Sequence, residues 1–244
     1  MRIGIIADIH SNAQALISVF SRMGAVDQVW CLGDVVGYGP EPKLCIDLVR
    51  SHSCRCVVGN HDLCVLGEID VSDFSLDAIK ACEWNRNRLN ESYLDYLRFL
   101  PLEIEPIPGI LLVHGSPGVN KWEYILSSWQ ADEILSNTAF QVIFVGHSHI
   151  PLMFMKEGNG PVEFMPLTSG QTIKLEKERI KYLINPGSVG QPRDGDNRAS
   201  FMILNTGDYT LEFYRVEYPI DIVREEMLLE GLPASLADRL ESGT

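Results

Sequence analysis

Apolar residues in this chain gather in short runs that end, again and again, in a polar residue able to do chemistry. The first run, Arg2-Ile3-Gly4-Ile5-Ile6-Ala7, has the length of a buried strand and stops at Asp8-Ile9-His10. Ala15, Leu16, Val19, Phe20 and Met23 then recur at helical spacing, with Ser11 or Asn12 to cap the helix and Gly24 to close it. Residues 27–32 predict a second strand that delivers Gly33-Asp34, and Gly37-Tyr38-Gly39-Pro40 turns the chain into a helix over about 41–51. Residues 54–58 form the third run and end in Gly59-Asn60-His61-Asp62. Strand, helix, strand, helix, strand predicts a mainly parallel sheet with helices against it.

The pattern then turns helical over about 74–99, within an excursion of about 62–100. Leu76, Ile79, Ala81, Cys82, Leu89, Leu94, Leu97 and Leu100 are its expected buried positions and Pro101 its stop. Strands are expected over 102–105 and 109–113, with Pro106 and Pro108 at the turn between them, and the second strand ends in His114. A helix over about 127–137 leads to a strand at 141–145 and then to Gly146-His147-Ser148-His149. Beyond Pro151 the runs are short and punctuated by turns, at 152–155, 162–165, 181–184, 200–205 and 209–216, which suits a second, largely antiparallel sheet. A helix from about 219 to 230 and a leucine-bearing tail to residue 244 finish a chain with no repeat and no linker, so one domain is expected over 1–244.

Composition narrows the class. With 45% apolar residues among 244, the chain can fill a sizeable core. No stretch approaches the roughly 18 uncharged apolar residues of a membrane span, and no signal-peptide pattern precedes the first strand, so no membrane partner and a cytoplasmic location are expected. A formal net charge of −13 argues against an extended nucleic-acid surface but not against a small phosphate-bearing substrate, for which local charge decides. The six cysteines read as free thiols, because only Cys54-x-Cys56 is closely spaced and it lacks a second pair at zinc-binding distance.

Placed just past strand ends, carboxylates and imidazoles stand where open α/β sheets do their chemistry. Asp8, His10, Asp34, Asn60, His114, His147 and His149 supply seven oxygen and nitrogen donors, too many for one ion and suited to two divalent ions of borderline or hard character. Asp34 is placed to bridge them, and His147 and His149 could serve one ion each. Two ions contribute +4, Asp8 and Asp34 return −2, and the remaining charge would hold an anion within an acidic protein. Mn²⁺, Fe²⁺ or Fe³⁺, and Zn²⁺ all fit such a mixed ligand set.

In order and spacing, Asp8-x-His10, Gly33-Asp34, Gly59-Asn60-His61-Asp62, His114 and Gly146-His147-x-His149 resemble the calcineurin-like metallophosphoesterases, and Asn185-Pro186-Gly187-Ser188-Val189-Gly190 resembles the loop that follows in their small bacterial and archaeal phosphodiesterase branch. The resemblance implies a four-layer α/β/β/α sandwich of two mixed sheets. It further implies one metal on Asp8, His10, Asp34 and His149 and another on Asp34, Asn60, His114 and His147, with His61 as the catalytic histidine and Asp62 orienting it. The implied reaction is hydrolysis of a small phosphate ester, with diesters slightly preferred, by a hydroxide that the two metals activate while His61 protonates the leaving group.

Two readings compete with a phosphodiesterase. One is a phosphomonoesterase acting on proteins or nucleotides; the other is a partner-binding scaffold on the same fold, which would gain nothing from an imidazole at His61. Asn60 and Arg193 are the expected substrate contacts, although Arg193, beside Asp194 in a glycine-rich loop, suits a solvated turn as well. Tyr38 could stack on a base at the entrance or belong to the core. Nothing in the residues fixes an oligomeric state.

Overall fold

The computed structural model describes residues 1–176 and 178–244. In chain order its elements are β1 (Arg2–Ile6), α1 (Ala13–Met23), β2 (Gln28–Cys31), α2 (Pro42–Ser51), β3 (Arg55–Cys56), α3 (Asn60–Leu66), α4 (Leu76–Arg88), α5 (Glu91–Arg98), β4 (Glu103–Ile107) and β5 (Ile110–Val113). They continue with α6 (Ser128–Asn137), β6 (Val142–Phe144), β7 (Pro151–Glu157), β8 (Val162–Met165), β9 (Thr172–Lys174), β10 (Ile180–Pro186), β11 (Ala199–Asn205), β12 (Thr210–Val216), α7 (Ile220–Leu229) and α8 (Ala234–Ser242).

Two six-stranded mixed sheets stack face to face, one in the order β3-β2-β1-β11-β12-β9 and the other β4-β5-β6-β10-β7-β8. Strand alternation explains the layering. Ile3, Ile5 and Ala7 of the first sheet meet Leu112, Phe144 and Ile184 of the second in one buried cluster, while Ile6 faces the helices on the outside. All the helices except α6 contribute to that outer cluster, whereas Ala131 and Leu135 of α6 cover the far face of the second sheet. The result is the expected four-layer sandwich.

Local chemistry sets the element ends. Asn12 rather than Ser11 caps α1, its Oδ1 accepting the Ala15 amide at 3.1 Å. Ser75, Asn90 and Ser127 cap α4, α5 and α6 in the same way. Pro106 lies within β4, not in a turn, and the turn falls at Pro108-Gly109. An edge strand tolerates the missing amide donor, and β4 is an edge strand.

Four other expectations change. The strands after Pro151 do not make a sheet of their own: β7, β8 and β10 extend one sheet and β9, β11 and β12 the other. The reason is that β1 and β6 each leave one edge open, which β11 takes antiparallel and β10 takes parallel. A helix, α3, begins at Gly59-Asn60-His61-Asp62 itself, ahead of the helical stretch expected over about 74–99. The tail forms α8, which buries Leu236, Ala237 and Leu240. Leu76 is 76% exposed, because α4 buries Ala78, Ala81, Cys82 and Asn85, and Leu76 lies about half a turn from that stripe.

Candidate metal centre

Every implied ligand follows the C-terminal end of a strand in a parallel pair: β1, β2 and β3 in one sheet, β5 and β6 in the other. The chain leaves these strands in left-handed backbone conformations that side-chain-bearing residues rarely adopt. Asp8, His10, Ser11, Asp34, His147 and His149 have φ of 54°, 49°, 54°, 52°, 66° and 59°. Strain gathered on six neighbouring residues turns their side chains into one space, and it persists because hydrogen bonds over-determine it.

Each carboxylate has one oxygen clamped and one free. Asp8 Oδ1 accepts the His147 amide at 3.0 Å and Asp34 Oδ1 the His61 amide at 2.8 Å, while Asp8 Oδ2 and Asp34 Oδ2 are buried without a hydrogen bond. Backbone carbonyls orient the imidazoles: His114 Nδ1 donates to Leu32 O at 2.6 Å, His149 Nδ1 to Gln191 O at 2.6 Å and His147 Nε2 to Trp122 O at 3.0 Å. These bonds fix the tautomers and leave the other ring nitrogens as lone-pair donors. Gly59 is required by closeness, since a Cβ there would lie 2.0 Å from Asp34 Oδ1.

The donors gather into two buried groups able to hold a metal, Asp8, His10, Asp34 and His149 in one and Asp34, His114 and His147 in the other. Asp34 Oδ2 stands between them, 3.4 Å from His10 Nε2 and 3.3 Å from His114 Nε2. Asn60 lies beside the second group, its Oδ1 3.1 Å from His114 Nε2. His10 Nε2 and His149 Nε2 face each other at 3.1 Å, two basic nitrogens that a shared cation would reconcile.

Charge follows the same division. Burial pushes His147 down to about 3 and holds His10 and His149 well below the ordinary imidazole value, which keeps their lone pairs free. Burial lifts Asp8 to about 7. Burial would also lift Asp34, but the surrounding histidines, His114 foremost, outweigh it and hold this carboxyl well below its usual range. For His114 the balance reverses: burial opposes its charge, yet Asp34 prevails and raises it to about 9. Without a metal the cluster thus keeps a positive charge on His114 beside the Asp34 carboxylate.

His61 lies in the cleft with the ligands, but Asp62 is engaged differently from expectation. Asp62 accepts from the amides of Gly59 at 2.9 Å and Val36 at 3.0 Å, so it caps α3 and ties it to the loop after β2. It therefore holds the His61 backbone and does not pair with the ring, because the third residue of a helix is placed to reach the cap amide. The ring rests against Tyr38 and Phe74 at centroid distances of 4.3 and 5.0 Å, with Cys82 Sγ 3.5 Å from Nδ1. Burial lowers its pKa to about 4.

A cleft of about 290 Å³ opens above the ligands, lined by His61, Asn60 and His147 at its floor and by Tyr38, Phe74, Trp122, Tyr124 and Arg193 at its walls. Arg193 and Asp194 are not a pair. Asp194 bonds Arg215, while Arg193 turns inward, its Nη2 donating to Tyr38 Oη at 3.1 Å and to Gln191 Oε1 at 2.9 Å, its Nε unpaired. Gln191, which holds both His149 and Arg193, escaped the sequence reading. So did Tyr124, whose ring stacks on His147 at 4.3 Å and 5°. The alternation Trp122-x-Tyr124 just before a capped helix was its one signal. The loop after β10 is a buttress: Ser188 Oγ donates to Asp8 O at 2.9 Å, and Asn185 Nδ2 donates to Gly146 O.

Residues 1–209 match the family model of the calcineurin-like phosphoesterase superfamily domain. A metallophosphoesterase from Sphaerobacter thermophilus superposes with a TM-score of 0.87 at 38% identity, covering 100% of this chain and 99% of that one. An uncharacterized protein of Methanocaldococcus jannaschii is 40% identical over 247 residues, which is 99% of this chain and 98% of the relative. A symmetrical bis(5'-nucleosyl)-tetraphosphatase of Psychromonas ingrahamii is 30% identical over 190 residues, 74% of this chain, and the match spans 63% of that enzyme's length.

Proposed function

The chain belongs to the calcineurin-like phosphoesterase superfamily and is a phosphate-ester hydrolase, and we propose that it works with two divalent ions sharing Asp34 on a small phosphodiester or phosphoanhydride whose departing portion carries an aromatic ring. One observation carries the reading: Asp34 Oδ2 is buried without a hydrogen bond between the two donor groups, the position of a bridging ligand. The ions, when bound, would hold phosphoryl oxygens and lower the pKa of water. Asp8, His10, Asp34 and His149 would hold one, and Asp34, Asn60, His114 and His147 the other. Mixed nitrogen and oxygen ligation suits Mn²⁺, iron or Zn²⁺.

The chain's own residues do the rest. With its pKa near 4, His61 is neutral at pH 7, so it assists the leaving oxygen as a hydrogen-bond donor, keeping its ring proton while water protonates the departing oxygen. Asn60 anchors the floor near His114, and Arg193 grips the substrate from the wall. Aromatic side chains on that wall favour a base or another ring in the leaving group.

The test is a panel of phosphate esters assayed with Mn²⁺ added, holding bis(p-nitrophenyl) phosphate, p-nitrophenyl phosphate, a phosphopeptide and diadenosine tetraphosphate. Faster turnover of the diester or tetraphosphate is expected. Preference for the monoester or phosphopeptide would favour a phosphatase, and no turnover of any member would favour the scaffold reading that His61 argues against.

A further inference from the structure

A guanidinium at the mouth of this cleft comes from a part of the chain that no ligand motif reaches. Arg239 lies in the last turn of α8, beyond residues 1–209 that match the family model. Its helix is firmly seated. Leu236, Ala237 and Leu240 enter the outer core, the Gly195 amide donates to Gly243 O at 2.8 Å, and Asn197 Nδ2 donates to Glu241 O at 2.9 Å. These last two bonds tie α8 to the loop that carries Arg193.

The carboxylates of α8 are already engaged. Arg224 of α7 pairs with Asp238 at 3.1 Å and Glu241 at 3.0 Å, which leaves Arg239 exposed, with no ion pair and no side-chain hydrogen bond among the described residues. A free arginine at a helix C-terminus would by itself be only a favourable partner for the helix dipole. Here it lines the same cleft as Arg193, whose Nε is also unpaired. The acids of that lining, Asp70 and Asp73, belong to the separate α3–α4 loop, and neither pairs with either arginine.

We propose that Arg239 is the distal anion contact of the site, selecting substrates that carry a further phosphate beyond the one being cleaved. The inference rests on the phosphoesterase reading and names its substrate class: an aromatic group for the cleft wall joined to two or more phosphates. Asn60, His61 and the metal ligands would engage the reacting phosphate, Arg193 the segment beside it and Arg239 the next anion. Arginine suits that task, since its long stem reaches from a fixed helix and its fork binds phosphate through paired donors.

Titration calorimetry of the metal-loaded protein with inorganic tripolyphosphate and with orthophosphate tests this directly. Arg239→Ala should weaken tripolyphosphate about tenfold more than orthophosphate, the scale of one charge-assisted hydrogen bond; Arg239→Glu should weaken it further, and Arg239→Lys should recover part of the loss. In kinetics, the preference of kcat/KM for diadenosine tetraphosphate over bis(p-nitrophenyl) phosphate should fall about tenfold in Arg239→Ala, through KM. Tripolyphosphate binding as tight in Arg239→Ala and Arg239→Glu as in the parent overturns the proposal, and so does equal weakening of both ligands. If the parent hydrolyses no ester, the preceding reading falls instead, while the calorimetric comparison still decides the role of Arg239.

Discussion

The floor and the rim of the cleft are built on opposite principles. At the floor the ligands are buried, Asp8, His10, Asp34, His147 and His149 have strained backbones, and most are held by a second group: Asp8 by the His147 amide, Asp34 by the His61 amide, His114, His147 and His149 by carbonyls. At the rim Tyr124 is 46% exposed, Arg193 keeps an unpaired nitrogen and the Arg239 side chain has no partner among the described residues. The floor is pre-organised for one geometry, as metal and phosphoryl chemistry require, and the rim leaves donors free for a substrate to complete. Reaction type and substrate choice are thereby separated, and substitutions should divide along the same line.

The largest effect should come from Asp34→Asn. Losing the shared carboxylate should bring metal content from two ions per chain towards one or none and lower turnover by at least about a thousandfold, since several kcal/mol of charge stabilisation go with it. Elemental analysis beside activity checks both, and a metal ratio equal to the parent's would remove the bridging role. His61→Gln should separate the two properties within the floor itself. Metal content should stay near the parent's while turnover of an ester with a poor leaving group drops about 100-fold or more. A nitrophenolate leaving group needs little help, so the loss there should be smaller.

Rim substitutions should act on affinity. Arg193→Ala should raise KM for the preferred substrate by about 10- to 100-fold, the worth of a charge-assisted hydrogen bond, with a smaller effect on bis(p-nitrophenyl) phosphate. Equal losses on both substrates would move Arg193 to the floor. The smallest effect on chemistry should come from Asn85→Ala. Buried Asn85 joins α4 to the loops after β1 and β2 through Ser11 Oγ at 2.5 Å, the Gly37 amide at 3.2 Å and Gly39 O at 3.2 Å. Its removal should cost about 1–3 kcal/mol of stability, read from denaturant unfolding, with only a modest loss of turnover. A large loss of turnover at unchanged stability would show that the excursion belongs to the catalytic floor.

The floor was legible in the sequence because buried parallel strands write themselves as apolar runs and their ends as abrupt polar stops. The seven implied ligands all fall within one cluster for that reason. What the sequence concealed depends on torsion angles and on long-range packing. Asp62 looked like a partner for the adjacent imidazole, but the extended backbone of Gly59 begins a helix there and directs the carboxylate to amides. Leu76 looked buried by composition, whereas the stripe on α4 is made of small residues that let it approach α3 closely. β9 spans three residues with only Ile173 buried, too short to show alternation. Arg239 carries no motif at all, and its position follows only from how α8 docks.

The sheet order also bears on how the protein is made. β1 lies between β2 and β11, and Ser188 reaches back 180 positions to the Asp8 carbonyl. During synthesis Asp8, His10 and Asp34 leave the ribosome first, yet the His147 amide that clamps Asp8 and the Ser188 loop that buttresses it arrive only in the second half of the chain. Such long-range closure is slow, and domains of this size pass through partly formed states. Selection of the right ions therefore belongs to the nearly finished chain, and a cell that exposed the nascent segment to an excess of a tightly binding metal would risk filling a half-built site with the wrong one.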